Sequence, residues 1–116
     1  MNTDSLPQDD RLRPTEQRKI PNTLYHVTLP DNCISIVEHG INPAFSKSPK
    51  ERVYFVERQC LHWAIPFISR RHGCPVDDLV IFKVRGGKQV KPLGGGKWFC
   101  EHPKTAHYFD DARYHV

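Results

Sequence analysis

Apolar and polar positions alternate with period two, or run together, in three short stretches of the chain. The stretches are Thr23–Thr28, Val53–Val56 and Leu79–Val84. Each reads as a β-strand, because successive side chains along a strand point to opposite faces. In the last, Val80, Phe82 and Val84 share one face. Val53-Tyr-Phe-Val56 is apolar on both faces, which predicts a central strand. A helical period separates these stretches. After Pro30-Asp31, with Asp31 as the expected N-cap, Cys33, Ile34, Val37 and Ile41 recur at near-helical spacing, and Gly40 suits a left-handed end. A second helix is expected over roughly 58–72, with Leu61, Ala64, Ile65 and Ile68 as its apolar stripe. Pro66 should kink it or divide it in two. Arg70, Arg71 and His72 suit its last turn, and Gly73 its cap.

The remainder is less regular. Residues 1–21 have no apolar periodicity and are interrupted by Pro7, Pro14 and Pro21, so they read as a flexible tail before a single domain over 22–116. Residues 42–52 read as a polar surface loop. Two glycine clusters, Gly86-Gly87 and Gly94–Gly96, bracket a candidate edge strand at 88–93. Neither cluster has the spacing of a phosphate-binding loop, so both read as turns. A short strand is expected at 98–100 and a last stretch of structure at 113–116.

Length and charge narrow the class. A chain of 116 residues supports one small core. No apolar run approaches membrane-spanning length and the polar N-terminus is not a signal peptide, so a cytoplasmic monomer with no membrane partner is expected. The formal charge is +4. Within residues 1–22, Asp4, Asp9, Asp10 and Glu16 balance Arg11, Arg13, Arg18 and Lys19, so the excess sits on the domain and biases it toward anionic partners. Cys33, Cys60, Cys74 and Cys100 form no C-x-x-C pair and read as free thiols. Cys60-x-His62 and Cys100-x-His102 lack the usual zinc spacings, and no metal is expected. Cysteine–histidine catalysis has no local signature either.

The candidate chemistry lies in the first two strands. His26 and Thr28 share a face of the first strand, offering imidazole and hydroxyl groups on a rigid support. The run Leu24-Tyr-His-Val-Thr-x-x-x-Asn32-x-x-Ser35-Ile36-x-x-x-Gly40-Ile41 resembles the opening of the DarT-type DNA-modifying toxins of the ADP-ribosyltransferase superfamily. Val53-Tyr54-Phe55 followed by a helix resembles the tyrosine strand of the poly(ADP-ribose) polymerases. The resemblance covers residues 23 to about 70 well and the remainder in outline. It implies an α+β domain built on a small split, mixed β-sheet with packed helices. It also implies NAD as substrate and transfer of ADP-ribose to a macromolecular acceptor, nucleic acid in preference to protein, as in a toxin, effector or phage-type modifier. On this resemblance His26 bonds the adenosine-side ribose, Thr28 supports the same region and Tyr54 stacks on nicotinamide.

The family's third residue is a glutamate that stabilises positive charge developing at the sugar carbon. Lys97 stands at its expected place, before Trp98–Cys100. The remaining acids are Glu101, the first choice because it closes that strand, and Glu57, Asp110 and Asp111. Two alternatives stay open at this point. One is a catalytically silent nucleotide- or partner-binding domain of the same fold. The other is an RNA 2′-phosphotransferase-like enzyme, in which Arg52, Arg70 and Arg71 would converge on His26.

Overall fold

The computed structural model describes residues 19–46 and 50–109. Its strands, in chain order, are β1 (Thr23–Thr28), β2 (Val53–Val56), β3 (Val80–Arg85), β4 (Val90–Gly94), β5 (Lys97–Cys100) and β6 (Ala106–Tyr108). They form one six-stranded sheet in the order β4-β5-β2-β1-β3-β6. Every pairing is antiparallel, so the sheet is not mixed as expected. The α+β class holds, and β1 and β2 are the two central strands.

The ladder is uneven across the sheet. All six residues of β1 pair with β3, from Thr23 with Arg85 to Thr28 with Val80. Toward β2 the only paired position is Tyr25 with Val56. Two three-stranded halves, β4-β5-β2 and β1-β3-β6, therefore meet at one point and part beyond it.

The sheet is apolar on both faces because a helix packs on each. On one face Leu24, Val53, Phe55, Phe82, Val84, Val90, Trp98 and Cys100 meet Ile36 of α1 (Cys33–His39). On the other, Tyr25, Val27, Leu79 and Ile81 meet Leu61, Ala64 and Ile65 of α2 (Leu61–His72). Each fully buried Leu, Phe or Ile side chain contributes about 1.5–3 kcal/mol relative to exposure.

Three expectations about the helices are corrected. Helix α1 buries Ile36 and leaves Ile34 and Val37 74% and 59% exposed. Its roll is set from both ends. Asn32 Nδ2 donates to Thr28 Oγ1 at 2.8 Å, and Ile41 pairs with Lys104 through N–H···O bonds of 2.8 and 3.0 Å. Asn32, not Asp31, is the N-cap residue, and its amide serves that tether instead of capping. Helix α2 runs unbroken through Pro66 after a 3-10 turn at Arg58–Cys60. The amide lost at Pro66 would have bonded the carbonyl of His62, which lies on the exposed side of the helix.

The glycines behave as turns. Gly95 and Gly96, with φ of 64° and 82°, close the β4–β5 hairpin, where a two-residue turn needs positive φ at both positions. A side chain at Gly96 would also strike Cys60 Sγ. All four cysteines are free thiols. The Cys33 thiol is pushed up by burial, against a smaller opposing effect of its hydrogen bond with Tyr108.

The expected tail lies outside the described residues up to residue 18, as do positions 113–116. Its last residues belong to the domain. Ile20 packs on the core beside α1, and Gly86 donates its N–H to Asn22 O at 2.9 Å. A Cβ on Gly86 would run into the Pro21 carbonyl oxygen. Gly86→Ala should therefore cost on the order of 2 kcal/mol and lower the melting temperature by several degrees. A chain beginning at Asn22 should melt below one beginning at Lys19, and equal melting temperatures would show that Ile20 and Pro21 contribute nothing.

Candidate functional site

Where β1 and β2 part, His26 bridges the gap. It lies opposite Phe55, one position beyond the Tyr25–Val56 pair, and the two rings meet edge to face at 5.8 Å. Its Nδ1 is 2.8 Å from the backbone oxygen of Tyr54. A carbonyl only accepts, so Nδ1 carries the proton and the imidazole donates where the ladder no longer does. Burial holds the pKa of His26 below the ordinary value of 6.5, and the Tyr54 carbonyl opposes this with a smaller effect. The ring is thus neutral near pH 7. Its Nε2 meets no hydrogen-bond partner among the described residues and is not a sealed-off buried atom, so it is open to a ligand.

Thr28 is on the same face but differently occupied. It is buried, and its hydroxyl accepts from Asn32 to hold the start of α1. Its role in this structure is to place the helix.

Tyr54 is elsewhere. Strand alternation sets Val53 and Phe55 toward α1, so Tyr54 projects on the α2 face, and the residue is 44% exposed. The expectation that the His26 and Tyr54 side chains face one pocket is therefore not met: they share a hydrogen bond through the Tyr54 backbone, across the thickness of the sheet. Glu101 is also on the α2 side, with Oε2 3.6 Å from Arg52 Nε and Oε1 3.7 Å from Lys91 Nζ. Arg52 Cζ lies over the Phe99 ring, 4.0 Å from its centroid, and Phe99 pairs with Tyr54. Tyr54 and Glu101 thus belong to one surface, and His26 and Thr28 to the other. Lys97 reaches toward the Trp63 ring at 5.9 Å, again on the α2 side. Arg70 and Arg71 end α2, so the three arginines do not converge on His26. Asp110 and Asp111 lie outside the described residues.

The acid brought nearest in character to a positioned group is Glu57. It follows Phe55 by two residues, at the rim of the face that carries His26. Its Oε2 accepts from Trp98 Nε1 at 2.8 Å and its Oε1 from Gln59 Nε2 at 2.7 Å, while its own N–H donates to Gly96 O at 2.8 Å. Trp98 is 1% exposed, so the indole that orients this carboxylate is fixed by the core. The signal was present in the sequence as an acid just beyond the second strand. Its partner, the indole, comes from a strand 41 residues away.

No trio of His, Cys, Asp or Glu gathers into a metal-binding cluster among the described residues. Cys60 and Cys100 are both buried, with Sγ contacts to the backbone oxygens of Gly95 and His102. No helix of the described chain is long and apolar enough to cross a membrane. Of the comparisons with known proteins, no family model, no curated protein and no solved structure matches the chain.

The neutral state of His26 has a consequence for stability. Above pH 6.5 the folded and unfolded states both hold it uncharged. As pH falls below 6.5 the unfolded chain takes the proton first, so stability drops until the lower folded-state pKa is passed. His26→Asn keeps a donor for the Tyr54 carbonyl and removes the titration. Thermal melts from pH 7.5 to 5.5 should show a shallower loss for this variant than for wild type. Equal slopes would mean that His26 is not held neutral by the fold.

Proposed function

We propose that the domain binds NAD on the α1 face of its divided sheet and transfers ADP-ribose to a macromolecular acceptor. The observation that carries this reading is the state of His26: locked through Nδ1 to the Tyr54 carbonyl, uncharged, with Nε2 open. A neutral imidazole in that state accepts a hydrogen bond from a ribose hydroxyl without moving. The residues present fit a ribose at this position, since the strands part here and Nε2 of the half-buried ring has no partner among the described residues.

Glu57 takes the part of the acid. Its carboxylate is oriented by Trp98 and Gln59 on the side of the sheet that carries His26. During transfer the bond between the sugar carbon and nicotinamide breaks, its electron pair leaves with nicotinamide, and the acceptor's nucleophile bonds to the carbon. Positive charge develops at that carbon, and a fixed carboxylate beside it lowers the barrier. The ion pairs of Glu101 with Arg52 and Lys91 on the opposite side favour Glu57 over Glu101 for this role.

The second reading, a catalytically silent nucleotide-binding domain, is favoured by that same separation. The family's tyrosine and the acid at the end of β5 are not on the His26 face. Both readings meet in one experiment. Calorimetric titration of NAD should show binding, weakened roughly tenfold by His26→Ala, as expected for one lost hydrogen bond of about 1–1.5 kcal/mol. Tyr54→Ala should leave the affinity unchanged. Release of nicotinamide should be lost in Glu57→Gln with binding retained, since the charge acts mainly in the transition state. A folded wild type that does not bind NAD would end the proposal; binding without nicotinamide release from wild type would establish the silent domain instead.

A further inference from the structure

The α2 face carries a second feature, at the end of β1 and β3 away from that helix. Thr23 pairs with Arg85, Tyr25 with Lys83, and Lys83 in turn with His107 of β6. Directly paired residues share a face, so Lys83, Arg85 and His107 project together. Lys88, from the loop that leaves β3, joins them along an open groove of about 690 Å³ whose far wall is Ile20–Thr23. No carboxylate lines the groove among the described residues. Lys83, Arg85, Lys88 and His107 are all exposed, and none has an ion pair or hydrogen bond among the described residues. Elsewhere on this face Arg52 and Lys91 share the carboxylate of Glu101, whereas the three Lys and Arg side chains here have no such partner among the described residues.

We infer that this groove is a docking surface for the phosphate backbone of a nucleic-acid duplex. Lys83 and Arg85 stand two strand positions apart, about 6.6 Å, on a rigid ladder, with Lys88 beyond them. A duplex presents one negative charge per roughly 1.7 Å of its axis, so several phosphates fall within reach of such a row. Among the described residues the groove has no Phe, Tyr or Trp, and its one aromatic ring is His107. Its apolar lining is Ile20, Pro21 and Val84, which offers no succession of rings to stack unpaired bases and no large apolar anchor for an acidic protein. Contact is with the backbone and is independent of base sequence. The surface lies on the side of the sheet opposite His26 and does not depend on the NAD reading.

Fluorescence anisotropy with the full chain and a labelled 20-base-pair duplex, without NAD, tests the inference. Binding should be indifferent to sequence. With three phosphates neutralised, affinity should fall about 40-fold between 50 and 200 mM salt. The triple variant Lys83→Gln, Arg85→Gln, Lys88→Gln should lose at least tenfold. Lys88→Glu alone, in an exposed loop and therefore safe for folding, should weaken binding and reduce the salt slope. Undiminished binding by Lys88→Glu or by a folded triple variant would overturn the assignment. So would tighter binding of a single strand, or competition by polyglutamate as effective as by unlabelled duplex, which would assign the groove to unpaired nucleic acid or to an acidic protein.

Discussion

The structure turns on the contact between its two central strands. Antiparallel neighbours in the middle of a sheet ordinarily satisfy each other's amides and carbonyls along their whole length. Here β1 and β2 do so at a single pair, Tyr25 and Val56. The Tyr54 carbonyl would otherwise be left in the parting, and the His26 imidazole accepts that duty as donor. One side chain thus closes a gap in the ladder, keeps the two halves of the sheet in register, and has its own tautomer decided by doing so. A leucine or threonine at position 26 could pack there but could not span to the carbonyl. The histidine's structural duty uses one ring nitrogen and leaves the other without a partner among the described residues.

Around that junction the fold is over-determined. Three tethers fix the elements that border it. Asn32 to Thr28 holds the start of α1, Lys104 to Ile41 holds its end, and Lys104 Nζ also donates to Gly86 O at 2.6 Å. Gly40 allows the second of these: a Cβ there would sit 2.6 Å from the Lys104 carbonyl, and its φ of +73° is in the region glycine favours. The exposed residues of α1, Ile34 and Val37, follow from this clamping, since the tethers and not apolar periodicity choose which side of a two-turn helix faces the sheet.

Much of this was legible in the alternation of residues. The faces of β3, the central place of Val53–Val56, the shared face of His26 and Thr28, and the glycine turns all follow from period two and from the conformational freedom of glycine. The relation between His26 and Tyr54 did not. Alternation states which residues of one strand share a face, but which face of the next strand matches them depends on register, and a slip of one residue reverses every side chain. Register between β1 and β2 is decided by one pair with a helix and a long loop between the strands, so nothing local announces that Tyr54 pairs with Phe99 and looks toward α2. Glu57 was visible as an acid, but its significance depends on Trp98, brought beside it by the β2–β5 pairing.

A sheet covered by one helix on each side has two chemically independent surfaces, and the charges divide accordingly. On the α1 side the groups near His26 are uncharged or already hydrogen-bonded: a neutral imidazole, the Thr28 hydroxyl, and a carboxylate held by indole and amide donors. On the α2 side the ionised groups sort by position. Arg52 and Lys91 share Glu101 over β2, β4 and β5, whereas Lys83, Arg85 and Lys88 over β3 meet no acid among the described residues. Part of the excess positive charge of the chain is therefore gathered in one row on one half of this face. Electrostatic interaction acts over about 8–10 Å at ordinary salt, so the row of cations over β3 and the carboxylate at the Glu57 rim, on opposite sides of the sheet, present fields of opposite sign. The parting of the strands provides the uncharged site, and the unbroken β1–β3 ladder provides the rigid row of cations. Both follow from the same unequal pairing of β1 with its two neighbours.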